Sequence, residues 1–156
     1  MTKPLMVGEA PSPSDGVLDG RPLEGNPSRK MSEWSGIDVM SAFDTVNLLD
    51  VAPKRRGKGT HWTPDEQQEA MRKANRLLFS GYWVYVLLGK RVAAAFGAAA
   101  APYYMLIPIA PDGQKVAVVI PHPSGVNHLY NEEEHRKAAG AWIRWASGQP
   151  REETKE

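Results

Sequence analysis

The sequence predicts an α/β fold, a three-layer α/β/α sandwich with a central, mainly parallel sheet of four to five strands. Three observations lead there. Short apolar runs at 5–7, 45–49, 83–88, 104–109 and 116–120 alternate with segments of helical periodicity. The run WVYVLL at 83–88 has no polar interruption, as in strands covered on both faces. The polar residues Glu9, Asn47 and His122, with Gly89, fall at or just beyond the carboxyl ends of these runs. That is where open α/β sheets bind ligands.

The bulk properties set the frame. A chain of 156 residues, 42% hydrophobic and 24% charged, suits one globular domain. We assign it to 1–147 and treat 148–156 as a polar tail. No apolar run approaches the ~18 residues needed to span a bilayer. Only four apolar residues precede Gly8, too few for a signal peptide, so they predict a buried first strand and a cytoplasmic protein. With no cysteine, a disulfide framework and a thiolate-held metal or cluster are excluded. A net charge of +1 gives no global pull toward nucleic acid or an anionic membrane, so any such contact must be local.

The elements follow in order. Leu5–Val7 stops at Gly-Glu-Ala-Pro. Residues 11–30 hold four prolines and no periodicity, which predicts a loop belonging to a site. Trp34, Ile37, Met40 and Phe43 recur every three residues, as along one helix. Asn47 interrupts the next apolar strand. Thr63-Pro64-Asp65-Glu66 is a helix start with a capping box, and Ala70, Met71, Ala74, Leu77 and Leu78 form its apolar stripe up to Gly81. A short helix starts at Gly89, and Pro111-Asp112-Gly113 turns between the last two strands. Asn131 is the expected cap of a final helix with Ala138, Trp142 and Trp145 on its buried face.

Four groups carry candidate chemistry, each beside a plainer reading. Glu9, on the turn after a buried strand, would direct a water or offset a positive charge; otherwise it caps a loop. His122, held between two prolines, would donate to an anionic oxygen, with Ser124 and the following amides gripping a phosphate. Otherwise it is a strand-end histidine bonded to carbonyls. Asn47 offers the acceptor and donors that read a pyrimidine edge, or it bonds to a neighbouring loop. Lys54, Arg55, Arg56 and Lys58, with His61 and Trp62, suit phosphates and a stacked base, or form a solvated basic loop.

Taken together, these segments resemble the uracil-DNA glycosylase superfamily. GEAPSPSDGVLDGRPLEG resembles its first motif, VNLLDVAP its base-reading strand, VYVLLGKRVAAAFG its central strand-Gly-helix, and PHPSG its second catalytic motif. Order and spacing match over roughly residues 4 to 146. The resemblance implies a DNA N-glycosylase that acts on uracil, or a related modified pyrimidine, after flipping it from the stack. Glu9 and His122 would be catalytic. Asn47, Ala10, Pro11 and Leu23 would surround the base. Ser12, Ser124, Gly125, Lys54, Arg55, Arg56 and Lys58 would hold phosphates, and Val126 or Leu129 would wedge into the stack. The implied partner is single- or double-stranded DNA, met by a monomer without metal or cofactor and without a membrane.

Departures from the pattern open alternatives. Branches with Gly-Glu-Ala-Pro often hold an iron–sulfur cluster on four cysteines, and this chain has none. Leu23 stands where an aromatic usually stacks, and Ser12 replaces a glycine. The extension Val126-Asn127-His128-Leu129-Tyr130-Asn131 is similar to that of compact, often phage-borne relatives. Another relative cross-links to uracil-DNA through a histidine after Lys-Arg-Arg; here His61 follows Lys54-Arg55-Arg56 at a longer distance. A glycosidase for a modified base or free nucleotide, a non-catalytic DNA-binding module, and a suicide cross-linker are therefore the competing expectations.

Overall fold

The computed structural model describes residues 3–11, 22–51, 55–56, 59–60, 62–123 and 128–148, with backbone alone at 55–56 and 59–60. The elements run β1 (Leu5–Gly8), α1 (Asn26–Ser35), α2 (Val39–Ala42), β2 (Asp44–Asn47), β3 (Arg55–Arg56), β4 (Gly59–Thr60), α3 (Pro64–Leu78), β5 (Val84–Leu88), α4 (Lys90–Ala95), β6 (Leu106–Pro108) and β7 (Val116–Ile120). A 3-10 helix, His128–Asn131, and α5 (Glu133–Ser147) complete them.

The fold is the expected α/β class. The five-stranded sheet has the order β2-β1-β5-β7-β6. Pairings of β1 with β2 and β5, and of β5 with β7, are parallel, while β6 joins β7 antiparallel at one edge. Strand side chains alternate between faces, and the two cores follow that alternation. Leu5, Val7, Tyr85, Leu87, Ala117 and Val119 pack with Ala70 and Ala74 of α3 and Val92 and Ala93 of α4. Met6, Val84, Val86, Leu88, Val118 and Ile120 pack with Met31 of α1 and Ala139, Ile143 and Ala146 of α5. Each fully buried aliphatic side chain contributes roughly 1.5–3 kcal/mol, so both faces must be covered, and the three layers follow.

Several elements differ from expectation for local reasons. The apolar residues at 34–43 do not lie on one helix. Gly36, at φ 77, ends α1 in the left-handed region, and its N–H donates to Ser32 O. α2 starts afresh after Asp38, with Phe43 as its C-cap. The first helix begins inside the proline-rich stretch, where Pro27 sits in its opening turn, a position that needs no N–H donor. The strand expected at 104–109 contracts to Leu106–Pro108. Asn131 ends the 3-10 helix, and Glu132 takes the N-cap of α5. The buried face of α5 is Ala139, Gly140, Ile143, Ala146 and Ser147, with Trp142 and Trp145 flanking it. Gly140 is required there, because a Cβ would stand 2.1 Å from Trp34 O of α1. Met71 is 51% exposed and leaves the α3 stripe to its neighbours. The capping box holds: Thr63 N–H donates to Glu66 Oε1 at 2.7 Å, and Glu66 N–H to Thr63 Oγ1 at 3.1 Å.

Candidate active site at the carboxyl edge of the sheet

From β1 the chain crosses by α1 and α2 to β2, on one side in the sheet order. From β5 it crosses by α4 to β7 on the other side. The crevice between the carboxyl ends of β1 and β5 is therefore the topological switch point, where such sheets bind ligands. Glu9 follows β1 and Gly89 follows β5 at this point.

Backbone ladders fix the loops that leave these strands. Leu48 N–H donates to Gly8 O at 3.0 Å and Leu49 N–H to Glu9 O at 2.9 Å, extending the β1–β2 pairing past Asn47. Gly89 N–H donates to Ile120 O at 2.8 Å, which ties the start of α4 to the segment carrying His122. Gly89 has φ 96, and a Cβ there would lie 3.4 Å from Glu9 Oε2 and 3.5 Å from His122 Cβ. Glu9 and His122 thus both approach one glycine, although 113 positions separate them in the chain (122 − 9).

Asn47 ends β2, in register with Gly8 at the end of β1. A Cβ on Gly8 would meet Asn47 Oδ1 and Leu23 Cδ2, each at 2.7 Å, so glycine lets both side chains settle over the strand end. Asn47 is 8% exposed, and its Oδ1 is buried with no hydrogen-bond partner among the described residues. An unpaired buried acceptor costs ~1–3 kcal/mol, a cost that a donor from a ligand would relieve. Leu23 has φ 71, strain that persists only where the surroundings impose it and that clusters at ligand sites. Ala10 is half-buried against the α3–α4 core, and Pro11 is exposed.

Charge is arranged around the same point. Arg91 Nη1 lies 3.3 Å from Glu9 Oε1. Burial raises the Glu9 carboxyl above its ordinary value, and Arg91 offsets part of that rise. Burial, with the Arg91 charge adding to it, lowers His122 to about 4. At neutral pH His122 is a neutral imidazole, able to donate an N–H without bringing a full positive charge. Tyr130 fixes the backbone that carries it: its hydroxyl donates to Pro121 O at 2.6 Å, and its ring stacks on Trp34 with centroids 4.2 Å apart.

The structure therefore brings Glu9 and His122 together at Gly89, and Asn47 and Leu23 together at Gly8. Sequence reasoning missed Arg91 and Tyr130. The Gly89-Lys90-Arg91 step was a visible signal, a cation in the first turn of a helix leaving the sheet edge. Leu129 is half-buried in the 3-10 helix. Arg55 and Arg56 form the β3 strand of a hairpin with Gly59 and Thr60. Ser12, Lys54, Lys58, His61, Ser124, Gly125 and Val126 lie outside the described residues. Trp62 has the Arg91 guanidinium 5.8 Å from its ring centroid and lines a cavity between α3 and α4 rather than the Glu9–His122 crevice. Among the described residues, no cluster of three or more His, Asp or Glu could hold a metal ion, and no helix is long and apolar enough to cross a membrane. Compared with known proteins, the chain matches no family model and no curated sequence, so its chemistry must be read from these residues.

Proposed function

We propose that the protein is a DNA N-glycosylase that releases uracil, or a closely related pyrimidine, from a flipped-out nucleotide. The observation that carries this reading is the convergence of Glu9 and His122 on Gly89, with Asn47 Oδ1, unpaired among the described residues, at the end of the neighbouring strand. A pyrimidine imide offers the missing donor: its N3–H fits Asn47 Oδ1, a contact that cytosine, with no proton on N3, cannot make.

In the reaction, the bond from C1′ to N1 breaks and its electron pair leaves with the base, whose charge collects on O2. The sugar becomes cationic. His122 donates a neutral imidazole N–H toward O2, as an oxyanion donor does, and losing one such donor costs about 10²–10³ in rate. Glu9 accepts a proton from the water whose oxygen bonds to C1′. A carboxyl raised by burial is the stronger base, and Arg91 favours its ionised form. Extrusion of the base costs a few kcal/mol, least in single strands.

The test is a panel of oligonucleotides holding uracil, 5-hydroxymethyluracil, hypoxanthine or mismatched thymine, with dUMP as the free nucleotide. Abasic product from uracil in DNA and none from dUMP supports the proposal. Absence of abasic product across the panel refutes it, and tight, salt-sensitive binding without product would mark a DNA-binding module instead.

A further inference from the structure

The cavity between α3 and α4 has a volume of about 350 Å3 and is lined by Trp62, Gln67, Met71, Arg91, Ala94 and Ala95. Sites for small organic ligands span roughly 300–1,000 Å3, so it can take a ring with substituents. Its chemistry is specific. Met71, Ala94 and Ala95 give apolar wall, and the Arg91 guanidinium stands over the Trp62 ring at 5.8 Å. Guanidinium groups stack on flat rings and bind phosphate through paired N–H donors. Trp62 Nε1 is buried with no acceptor among the described residues. Buried indole N–H groups normally have a partner, so this one is sensitive to any change in the wall it belongs to.

We propose that this cavity is a nucleotide subsite, taking a planar base together with its phosphate. Arg91 joins the cavity to the candidate reaction centre, because the same guanidinium lies 3.3 Å from Glu9. The nucleotide beside the flipped residue in a DNA strand and a free nucleotide present the same chemistry. Choosing a nucleotide over another aromatic anion rests on the glycosylase reading. An occupant that engages Arg91 also draws its charge from Glu9, which couples the subsite to the carboxyl that activates water.

The indole N–H signal of Trp62 reports occupancy directly. It is one of five in the full chain and is assigned by its loss in Trp62→Phe. The probes are dTMP, thymidine and a short thymine-only oligonucleotide, none of which contains uracil. We expect dTMP to move the Trp62 signal saturably, and thymidine to bind about tenfold more weakly for want of the phosphate. Ala94 is exposed at the cavity wall, so Ala94→Trp narrows the space without disturbing the core and should weaken dTMP binding at least about tenfold. A shift with both dTMP and the oligonucleotide assigns the subsite to the neighbouring residue of a strand; a shift with dTMP alone assigns it to a free nucleotide. A Trp62 signal unmoved by millimolar dTMP and by the oligonucleotide, or equal binding by Ala94→Trp, overturns the proposal. Uracil release with an unmoved Trp62 overturns the subsite alone. A saturable Trp62 shift without uracil release overturns the glycosylase reading alone.

Discussion

Glu9 and Arg91 form an ion pair of 3.3 Å between the loop after β1 and the first turn of α4, and this pair sets the charge of the candidate site. Burial favours the protonated form of Glu9 and Arg91 favours the ionised one. If ionised Glu9 activates water, the acid limb of kcat/KM for uracil release belongs to this carboxyl and lies above the ordinary value of 4.5. Arg91→Met removes the favourable charge, so the limb must move to higher pH. Glu9→Gln must remove the limb along with most of the rate. A pH–rate profile of the three proteins checks both signs.

His122 gives a stability prediction of known sign. Its folded value, about 4, lies below the ordinary 6.5 because burial penalises the imidazolium and Arg91 repels it. Between those values the unfolded chain holds a proton that the folded chain does not, so stability must fall as pH drops from 6.5 toward 4. His122→Asn removes this titration and must flatten the curve over that window. Urea midpoints at several pH values measure it.

Tyr130 acts on the site from behind. Tyr130→Phe keeps the stack on Trp34 and leaves the Pro121 carbonyl without its 2.6 Å donor. An unpaired buried carbonyl costs ~1–3 kcal/mol, which lowers Tm by several degrees in a chain of this size. Because Pro121 precedes His122, kcat should fall further than KM rises. A variant that loses stability with an unchanged kcat would make Tyr130 purely structural.

Gly89 cannot be replaced cheaply. Gly89→Ala forces a side chain into a φ of 96 and sets a methyl 3.4 Å from Glu9 Oε2. At φ 96 and ψ 166 the backbone strain alone costs about 1–3 kcal/mol. The folded variant should lose at least about tenfold in uracil release, since a small misplacement of reacting groups can cost up to 10²-fold. Circular dichroism with a single-turnover assay separates loss of fold from loss of function.

The sequence made some of this legible and not the rest. β5 and β7 were plain because a sheet covered on both faces needs uninterrupted apolar runs, and α3 was plain because Thr63, Pro64 and Glu66 spell a helix start locally. Glu9, Asn47 and His122 stood out because polar residues at strand ends carry a cost that something must offset. The break at Gly36 was hidden, since residues spaced by three mimic one helix even when two helices share them. The roles of Arg91 and Tyr130 were hidden for a different reason, although Arg91 itself stood in view near Gly89. Their roles come from Glu9, 82 positions away, and from Pro121 across the fold, and no local pattern encodes such a meeting.

The most direct measurement is single-turnover release of uracil from a single-stranded oligonucleotide by the unaltered protein, Glu9→Gln and His122→Ala. The glycosylase account predicts measurable release by the first and losses of about 10²-fold or more in each variant, with both still folded. Release by either variant at the unaltered rate, or no release by any of the three, would contradict it.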